Sequence, residues 1–234
     1  MSDKSRLRKQ RAGTVINTTS KRQESDIIVA LNIVIQRMRT KYPVKFSHSS
    51  DWKLRDIVSR LRSHFPQEVD FYYHFDTSAI RPDGGILSII DKENKTYPVL
   101  ISEVKNQGTN DLREKEGLSK QPKGNAIERL GKNVIGLRAA LRNENIFPFV
   151  CFGYGCDFAE DSSILDRIVT INMFGELCKI NIFDEGPCGY FDRGSFFFRE
   201  KKWSVDEMCQ ILALVCERSI LYYYSKYGRE RFEV

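Results

Sequence analysis

Three charged side chains lie where an apolar β-hairpin would bring them together. Asp83 opens the first strand, within the sequence PDGG, and Glu103 and Lys105 end the second strand on either side of Val104. Side chains two residues apart on a strand point to the same face, so Glu103 and Lys105 share a face while Val104 points into the core. Pairing of the two strands then places Asp83 beside them.

These residues have the chemistry that hydrolysis of a phosphodiester bond requires. The carboxylates of Asp83 and Glu103 are hard oxygen ligands of the kind that Mg²⁺ prefers, and the backbone carbonyl of Val104 could supply another. A bound Mg²⁺ polarises the scissile phosphate and lowers the pKa of a bound water. Lys105 could position or help deprotonate the attacking water and offset charge on the phosphate.

The pattern by itself is short and degenerate. A PD followed some twenty residues later by E-x-K also arises by chance, with surface charge as the ordinary explanation. Its placement at the end of an apolar strand favours a functional interpretation, because buried strands do not usually end in two charges without a use for them.

A second polar cluster opens the helix that the sequence predicts for residues 125–143. Asn125, Glu128, Arg129 and Lys132 fall at i, i+3, i+4 and i+7, which is one face of a helix. A separate apolar stripe would face the core and consists of Ile127, Leu130, Val134, Leu137 and Leu141.

The polar N-terminal end of such a helix can enter the major groove of DNA. Asn makes a bidentate pair with adenine, Glu accepts from an exocyclic amino group, and Arg donates to base acceptors. A solvated helix face with an i, i+4 charge pattern is the alternative use of the same residues. Gly131 and Gly136, further along, would permit close packing against another helix.

Four segments of the chain resemble the EcoRI family of type II restriction endonucleases. IRPDGGI at 80–86 resembles the first catalytic segment of the family, and VLISEVKNQG at 99–108 resembles the second. GNAIER at 124–129 resembles the recognition segment, and FPFV at 147–150 resembles the strand that follows it. The order and approximate spacing also agree, over roughly residues 78–155.

The resemblance implies a fold, a substrate and a catalytic set. The fold would be the α/β PD-(D/E)xK restriction-endonuclease-like fold, with a central mixed β-sheet flanked by helices. The substrate would be palindromic double-stranded DNA with an AATT core, cut before the first adenine to leave 5′ overhangs. Asp83 and Glu103 would bind Mg²⁺, and Lys105 would be the catalytic lysine.

The resemblance also assigns the reading of bases and the assembly. Gln107 would contact a thymine methyl, while the AATT core would be read by Asn125, Ala126, Glu128 and Arg129. The helix 125–143 would help form the interface of a homodimer. We also expect a cognate DNA methyltransferase in the same system, because an unprotected cutter of so short a site would be lethal to its own cell.

The segment before the recognition glycine departs from the family pattern. Enzymes of the family that cut GAATTC carry an apolar, alanine-rich segment there, whereas residues 119–123 read SKQPK here. The relative that cuts CAATTG has an arginine where this chain has Lys123, and lysine can donate to guanine O6 and N7. We therefore expect the outer base pair to be read differently, with CAATTG, another flanked AATT, or AATT alone as the open alternatives.

Two other functions share part of these features. A repair or resolvase nuclease of the same fold would have the Asp83, Glu103 and Lys105 pattern but would not explain the GNAIER segment. A non-cleaving, sequence-specific DNA-binding protein would explain that segment. It would not need competent residues at all three catalytic positions.

The charge of the chain is concentrated at its N-terminus. Residues 1–23 carry seven basic side chains and one acid, a balance of +6 that equals the formal net charge of the whole chain. Such an arm could follow a phosphate backbone, with Arg6, Arg8 and Lys9 as candidate contacts beside Lys132 of the recognition helix. A solvated, disordered terminus is the alternative.

The remaining elements must position the hairpin and the recognition helix. A length of 234 residues suits a single domain, predicted for 24–234 after the basic arm. Hydrophobic periodicity predicts helices at 24–41, 50–65 (capped by Ser49 or Ser50), 125–143 and 204–227 (with Ser204 as cap and Glu207 three residues on). Alternating or continuous apolar runs predict strands at 70–75, 85–90, 97–104 and 147–152, while 154–200 reads as short strands and turns without a clear order. Within that segment, the run Phe196, Phe197 and Phe198 predicts a core strand.

Composition excludes several other classes of protein. The six cysteines form no C-x-x-C pair, and none of the three histidines has zinc-ligand spacing to them, so we expect reduced thiols in an intracellular protein. No apolar segment approaches the roughly 20 residues that span a bilayer, and the N-terminus lacks the apolar stretch of a secretory signal. We therefore expect a soluble, cytoplasmic protein.

Overall fold

A computed structural model describes most of the chain, and its helices and strands can be assigned. The described residues are 15–65, 70–106, 117, 125–160, 162–183 and 194–234. The helices are α1 (Val15–Lys41), α2 (Leu54–His64), α3 (Asn125–Leu141), α4 (Ile164–Ile171) and α5 (Val205–Tyr227). The strands are β1 (Lys45–Ser49), β2 (Trp52–Lys53), β3 (Ala79–Ile80), β4 (Gly85–Ile90), β5 (Thr96–Asn106), β6 (Phe149–Tyr154) and β7 (Ser195–Arg199).

A mixed sheet in the order β1-β4-β5-β6-β7 forms the centre of the molecule. Strand β4 runs antiparallel to both β1 and β5, whereas β6 and β7 run parallel to β5. The predicted β4–β5 hairpin is confirmed, and its turn is closed by a hydrogen bond from the Asp91 amide to the Lys95 carbonyl at 3.0 Å. The mixed sheet flanked by helices confirms the predicted fold class.

Helices cover both faces of this sheet and divide the core into two apolar clusters. Helices α1 and α5 pack against each other and against β5, over Leu87, Val99, Val104, Val150, Phe152 and Phe197. The other face meets α2, α3 and α4 over Ile86, Ile101, Phe149, Cys151, Phe196 and Phe198. Full burial of a large apolar side chain is worth about 1.5–3 kcal/mol, so these two layers fix the direction of β5.

Helix α1 begins earlier than the apolar pattern predicts. It starts at Val15, inside the segment 1–23 that we interpreted as an arm, and it continues to Lys41. Adding residues to an existing helix costs far less than nucleating one, and the Lys, Arg, Gln and Glu residues of 21–24 are good helix formers. The basic segment thus leads into a helix, and residues 1–14 lie outside the described part of the chain.

Two local predictions were wrong. The aromatic run 70–75 forms no strand, and Tyr72 and Phe75 are exposed rather than packed in a ladder. The short strand β3 pairs with β2 instead, a few residues further along. Helix α2 begins at Leu54 after Lys53, so neither Ser49 nor Ser50 caps it.

The C-terminal part of the chain supplies an edge strand and a long helix. Strand β7 contains the buried run Phe196, Phe197 and Phe198, as predicted for a core strand, and it orders part of the segment 154–200 together with α4. Tyr223 of α5 is fully buried, and its neighbours in sequence pack against the same cluster. Among the described residues, none of the helices has the length and apolar content needed to cross a bilayer.

Helix α5 begins with the capping box that the sequence predicts. The Ser204 hydroxyl accepts a hydrogen bond from the Glu207 amide at 3.2 Å, and the Glu207 carboxylate accepts one from the Ser204 amide at 2.8 Å. Arg199 of β7 donates two further hydrogen bonds to Glu207. The hydrogen bonds from Arg199 make the largest contribution, and together with those from Ser204 they lower the pKa of Glu207 to about 2.

Replacing the cap should destabilise the protein measurably. We expect Ser204→Ala to lower the free energy of unfolding by about 1 kcal/mol, because an amide of the first turn loses its acceptor. Urea denaturation followed by circular dichroism measures this. Ser225→Ala, at an exposed position near the end of the same helix, is the matched control and should not destabilise, since alanine favours helix. Equal losses for the two variants would contradict a capping role.

Candidate active site

The turn that carries Asp83 is held tightly against β5. The Gly85 amide donates to the Pro82 carbonyl at 3.0 Å, which closes a β-turn, and the Gly84 amide donates to the Ser102 carbonyl at 2.9 Å. A Cβ on Gly84 would lie 2.2 Å from the Ser102 hydroxyl oxygen, and Gly85 has φ +80°. Both positions therefore require glycine, one for close approach and one for its backbone conformation.

This turn brings together the three residues that the sequence singles out. The Lys105 ammonium donates to Asp83 Oδ2 at 3.2 Å, to Glu103 Oε1, and to the Val104 carbonyl at 3.0 Å. The Asp83 amide donates to Glu103 Oε2 at 2.9 Å, and the Val104 amide donates to Asp83 Oδ2 at 3.2 Å. Two carboxylates and a carbonyl thus converge on the Lys105 ammonium.

The cluster is buried unevenly, and its charges interact strongly. The Glu103 side chain is 3% exposed, whereas those of Lys105 and Asp83 are 17% and 26% exposed. Burial raises the pKa of Glu103, partly offset by the charge of Lys105. Burial alone would lower the pKa of Lys105, but the charges of Glu103 and Asp83 outweigh it and raise that pKa, which keeps the ammonium charged.

Two neighbours of the cluster were not identified from the sequence. Cys151 of β6 is fully buried opposite Glu103, and burial raises the pKa of its thiol well above the usual range, so the thiol is neutral. His48 of β1 lies with Nε2 2.9 Å from the Gly84 carbonyl oxygen. Both come from strands distant in sequence, and no local pattern reveals which strands pair with the hairpin.

The donor set fits a hard divalent cation. Asp83, Glu103 and the Val104 carbonyl present oxygen atoms to the point that the Lys105 ammonium occupies in this structure. Oxygen is the type of ligand that Mg²⁺ takes. Within the described ranges, no group of three or more His, Cys, Asp or Glu side chains could hold a metal ion. A cation at this position would therefore take two carboxylates and a carbonyl from the protein as ligands. This set suits Mg²⁺, which usually keeps several water molecules in its coordination shell.

Helix α3 has the apolar and polar faces that the sequence predicts. Its apolar stripe is buried, at Ile127, Leu130, Val134, Leu137 and Leu141. Glu128, Arg129 and Lys132 are exposed on the opposite face, and Asn125 and Ala126 begin the helix. The other predicted DNA contacts lie outside the described residues, namely Gln107, Lys123, Arg6, Arg8 and Lys9.

The two glycines of α3 contact different elements. A Cβ on Gly131 would lie 3.5 Å from Ile171 at the end of α4, an ordinary contact with a helix. A Cβ on Gly136 would lie 2.6 Å from Ile80 of β3, so this close approach is to a strand rather than to the predicted helix. Because Ile80 lies three residues before Asp83, α3 contacts the strand that leads into the turn that carries Asp83.

Fold and site together define the class of protein. A central mixed sheet flanked by helices, with two carboxylates and a lysine at the ends of one hairpin, is the arrangement of a PD-(D/E)xK nuclease. The sequence profile of the family described as restriction endonuclease EcoRI matches residues 9–185. The chain belongs to this family, which confirms the resemblance noted from the sequence.

Two relatives show the extent of the similarity. The type II restriction enzyme RsrI of Cereibacter sphaeroides is 30% identical over 207 residues, which cover 79% of this chain and 72% of RsrI. The type II restriction enzyme EcoRI of Escherichia coli is 28% identical over 144 residues, which cover 58% of this chain and 52% of EcoRI. The protein is therefore a type II restriction endonuclease, a site-specific deoxyribonuclease that acts on double-stranded DNA. Neither a repair or resolvase nuclease nor a non-cleaving DNA-binding protein is needed to explain it.

Crowding the turn that carries Asp83 should destabilise the fold. We expect Gly84→Ala to lower the free energy of unfolding by roughly 1–3 kcal/mol, because the new Cβ meets the buried Ser102 side chain. Chemical denaturation measures the loss. Gly131→Ala is the matched control and should be neutral or stabilising, because its Cβ meets only an ordinary contact within a helix. A Gly84→Ala protein as stable as Gly131→Ala would show that the turn is not tightly packed.

Proposed function

We propose that the enzyme cleaves palindromic duplex DNA at sites with an AATT core, in a Mg²⁺-dependent reaction that leaves 5′ overhangs. The observation that carries this proposal is the convergence of Asp83, Glu103 and Lys105 at one end of the β4–β5 hairpin. Family membership supports the same conclusion, because the matching relatives are named type II restriction enzymes.

Asp83, Glu103 and the Val104 carbonyl would hold the metal ion. Bound Mg²⁺ supplies Lewis-acid polarisation of the phosphate and a lower pKa for a coordinated water. The protein keeps the carboxylates in place through backbone donors, since the Asp83 amide binds Glu103 and the Val104 amide binds Asp83. The site is thus preorganised, which limits reorganisation during the reaction.

Lys105 would act on the attacking water and on the phosphate. In this structure its ammonium occupies the point between the two carboxylates, whose charges raise its pKa and keep it protonated. A metal ion held by the same oxygen atoms would displace the ammonium from that point. A protonated lysine orients a water by hydrogen bonding and stabilises negative charge that develops on phosphate oxygens. Its side chain is 17% exposed, which is enough for contact with a substrate at the surface.

The beginning of α3 would read the DNA sequence. Glu128 and Arg129 are exposed there, and they would read the AATT core with Asn125, Ala126 and Gln107. Lys123 would contact the outer base pair, so sites such as CAATTG and AATT alone are both compatible with this proposal. Lys132 is exposed one turn along the same helix and would contact a phosphate, as would Arg6, Arg8 and Lys9.

A palindromic site requires two copies of the reading surface. We propose a homodimer in which α3 contributes to the interface, because two-fold symmetric DNA is matched by a two-fold symmetric protein. Ile135 of α3 is 65% exposed, which suits a position that a second copy would cover. A cognate DNA methyltransferase would protect the host, and both enzymes would act in the cytoplasm on the cell's own and incoming DNA.

Removal of the charge of either carboxylate or of the lysine should separate DNA binding from cleavage. We expect Asp83→Asn, Glu103→Gln and Lys105→Ala each to slow single-turnover cleavage of an AATT-containing duplex in Mg²⁺ by about 100-fold or more. Binding of the same duplex in Ca²⁺, measured by gel shift, should be retained. Lys202→Ala, which removes a lysine of a surface ion pair with Asp26, is the control and should cleave normally. Cleavage at the normal rate by the three variants would refute the proposed catalytic site.

Loss of a side chain that reads bases should reduce the preference for one DNA sequence over another rather than the overall affinity for DNA. We expect Arg129→Ala to reduce the preference for AATT over singly substituted duplexes by about 1–3 kcal/mol in competition binding. Arg39→Ala, an exposed arginine at the end of α1, is the matched control and should leave the preference unchanged. If Arg129→Ala instead weakens binding to all duplexes equally, Arg129 contacts phosphate and not bases.

A further inference from the structure

The catalytic turn receives a hydrogen bond from a side chain outside the hairpin. His48, near the end of β1, lies with Nε2 2.9 Å from the carbonyl oxygen of Gly84, the residue after Asp83. Since a carbonyl oxygen only accepts, Nε2 carries the hydrogen and the imidazole donates. The pairing of β1 with β4 places His48 opposite Leu87, within reach of the turn.

Gly85 leaves no room for a side chain on the His48 side of the turn. A Cβ added to Gly85 would lie 2.6 Å from His48 Nε2 and 2.6 Å from the Ser49 carbonyl oxygen. The end of β1 therefore packs directly on the backbone of the turn. His48 is otherwise exposed, so the contact with the turn, rather than burial, restrains its ring.

The turn has few other anchors on this side. Gly84 and Gly85 have no side chains that could pack, and glycine samples more backbone conformations than any other residue. The other hydrogen bonds of the turn run to Pro82 within it or to β5, at Ser102, Glu103, Val104 and Lys105. The His48 bond approaches from β1, on the other side of the turn from β5, and so restrains the peptide between the two glycines.

We infer that His48 is a positioning residue, which fixes the Gly84 peptide so that the Asp83 carboxylate stays directed toward Glu103. Restraint of the turn keeps the two carboxylates together before a cation binds. This inference rests on the proposed function, in which those carboxylates hold Mg²⁺. It assigns to β1 a role in metal affinity that acts through the backbone and involves no contact with substrate.

The test compares variants that keep or remove the donor. His48→Leu fills a similar volume without a donor, whereas His48→Gln places an amide nitrogen the same number of bonds from Cβ as Nε2. We expect His48→Leu to raise the Mg²⁺ concentration for half-maximal single-turnover cleavage by about 3- to 10-fold, the range for loss of one hydrogen bond. His48→Gln should restore most of that loss. Duplex binding in Ca²⁺ should be unchanged in both variants.

Two further proteins make the outcome decisive. His74→Leu, at an exposed histidine in the loop 70–78, is the matched control and should show the wild-type Mg²⁺ dependence. If His48→Leu does not fold, His48→Asn takes its place, because the shorter asparagine amide cannot reach the Gly84 carbonyl.

The outcomes separate this inference from the proposed function. A wild-type protein that shows no Mg²⁺-dependent cleavage removes the proposed function and the inference with it. A wild-type protein that cleaves, with an unchanged Mg²⁺ dependence in His48→Leu, overturns the inference alone. Failure of His48→Gln to restore the Mg²⁺ dependence also overturns it, because the ring and not its donor would then matter.

Discussion

The ion pair between Glu103 and Lys105 is the interaction on which the site depends. Glu103 is almost fully buried, and a carboxylate in that position is stable only when charge and hydrogen bonds offset its loss of hydration. The Lys105 ammonium provides the charge, and the Asp83 amide provides a hydrogen bond. The turn that brings Asp83 into place therefore also stabilises Glu103.

Helix α3 and the turn that carries Asp83 are connected by the packing of α3 against β3. Helix α3 exposes Glu128 and Arg129 at its beginning, and two turns further on Gly136 meets Ile80, which leads into the turn. The apolar stripe of α3 is completely buried between these points, so the helix is held as a rigid body. The residues proposed to read DNA and those proposed to cut it are thus fixed relative to each other through a short path of packed side chains.

Much of this arrangement could be predicted from the sequence because it is local. The hairpin follows from two apolar runs and a polar turn, and the spacing of Glu103 and Lys105 follows from strand geometry. The capping box at Ser204 and the two faces of α3 follow from patterns of four to seventeen residues. The roles of individual residues in reading bases came only from the resemblance to a family, since the spacing of the polar residues of α3 also fits a solvated helix face.

The features of the fold and the site that could not be predicted depend on contacts between distant segments, which no local pattern encodes. His48 and Cys151 reach the site through the pairing of β1 and β6 with the hairpin. The aromatic run 70–75 has strand-forming residues, but tertiary structure leaves it unpaired, which shows that strand propensity depends on an available partner. Helix α1 extends to Val15 through polar residues that carry no apolar signal.

Digestion of a plasmid of known sequence, followed by sequencing of the fragment ends, tests the proposed function most directly. With Mg²⁺ the enzyme should give discrete fragments whose ends lie at AATT, and EDTA should abolish them. The bases that flank the cut would also show whether Lys123 reads a guanine. Random nicking, or tight binding to AATT duplexes without cleavage, would contradict the role proposed for Asp83, Glu103 and Lys105.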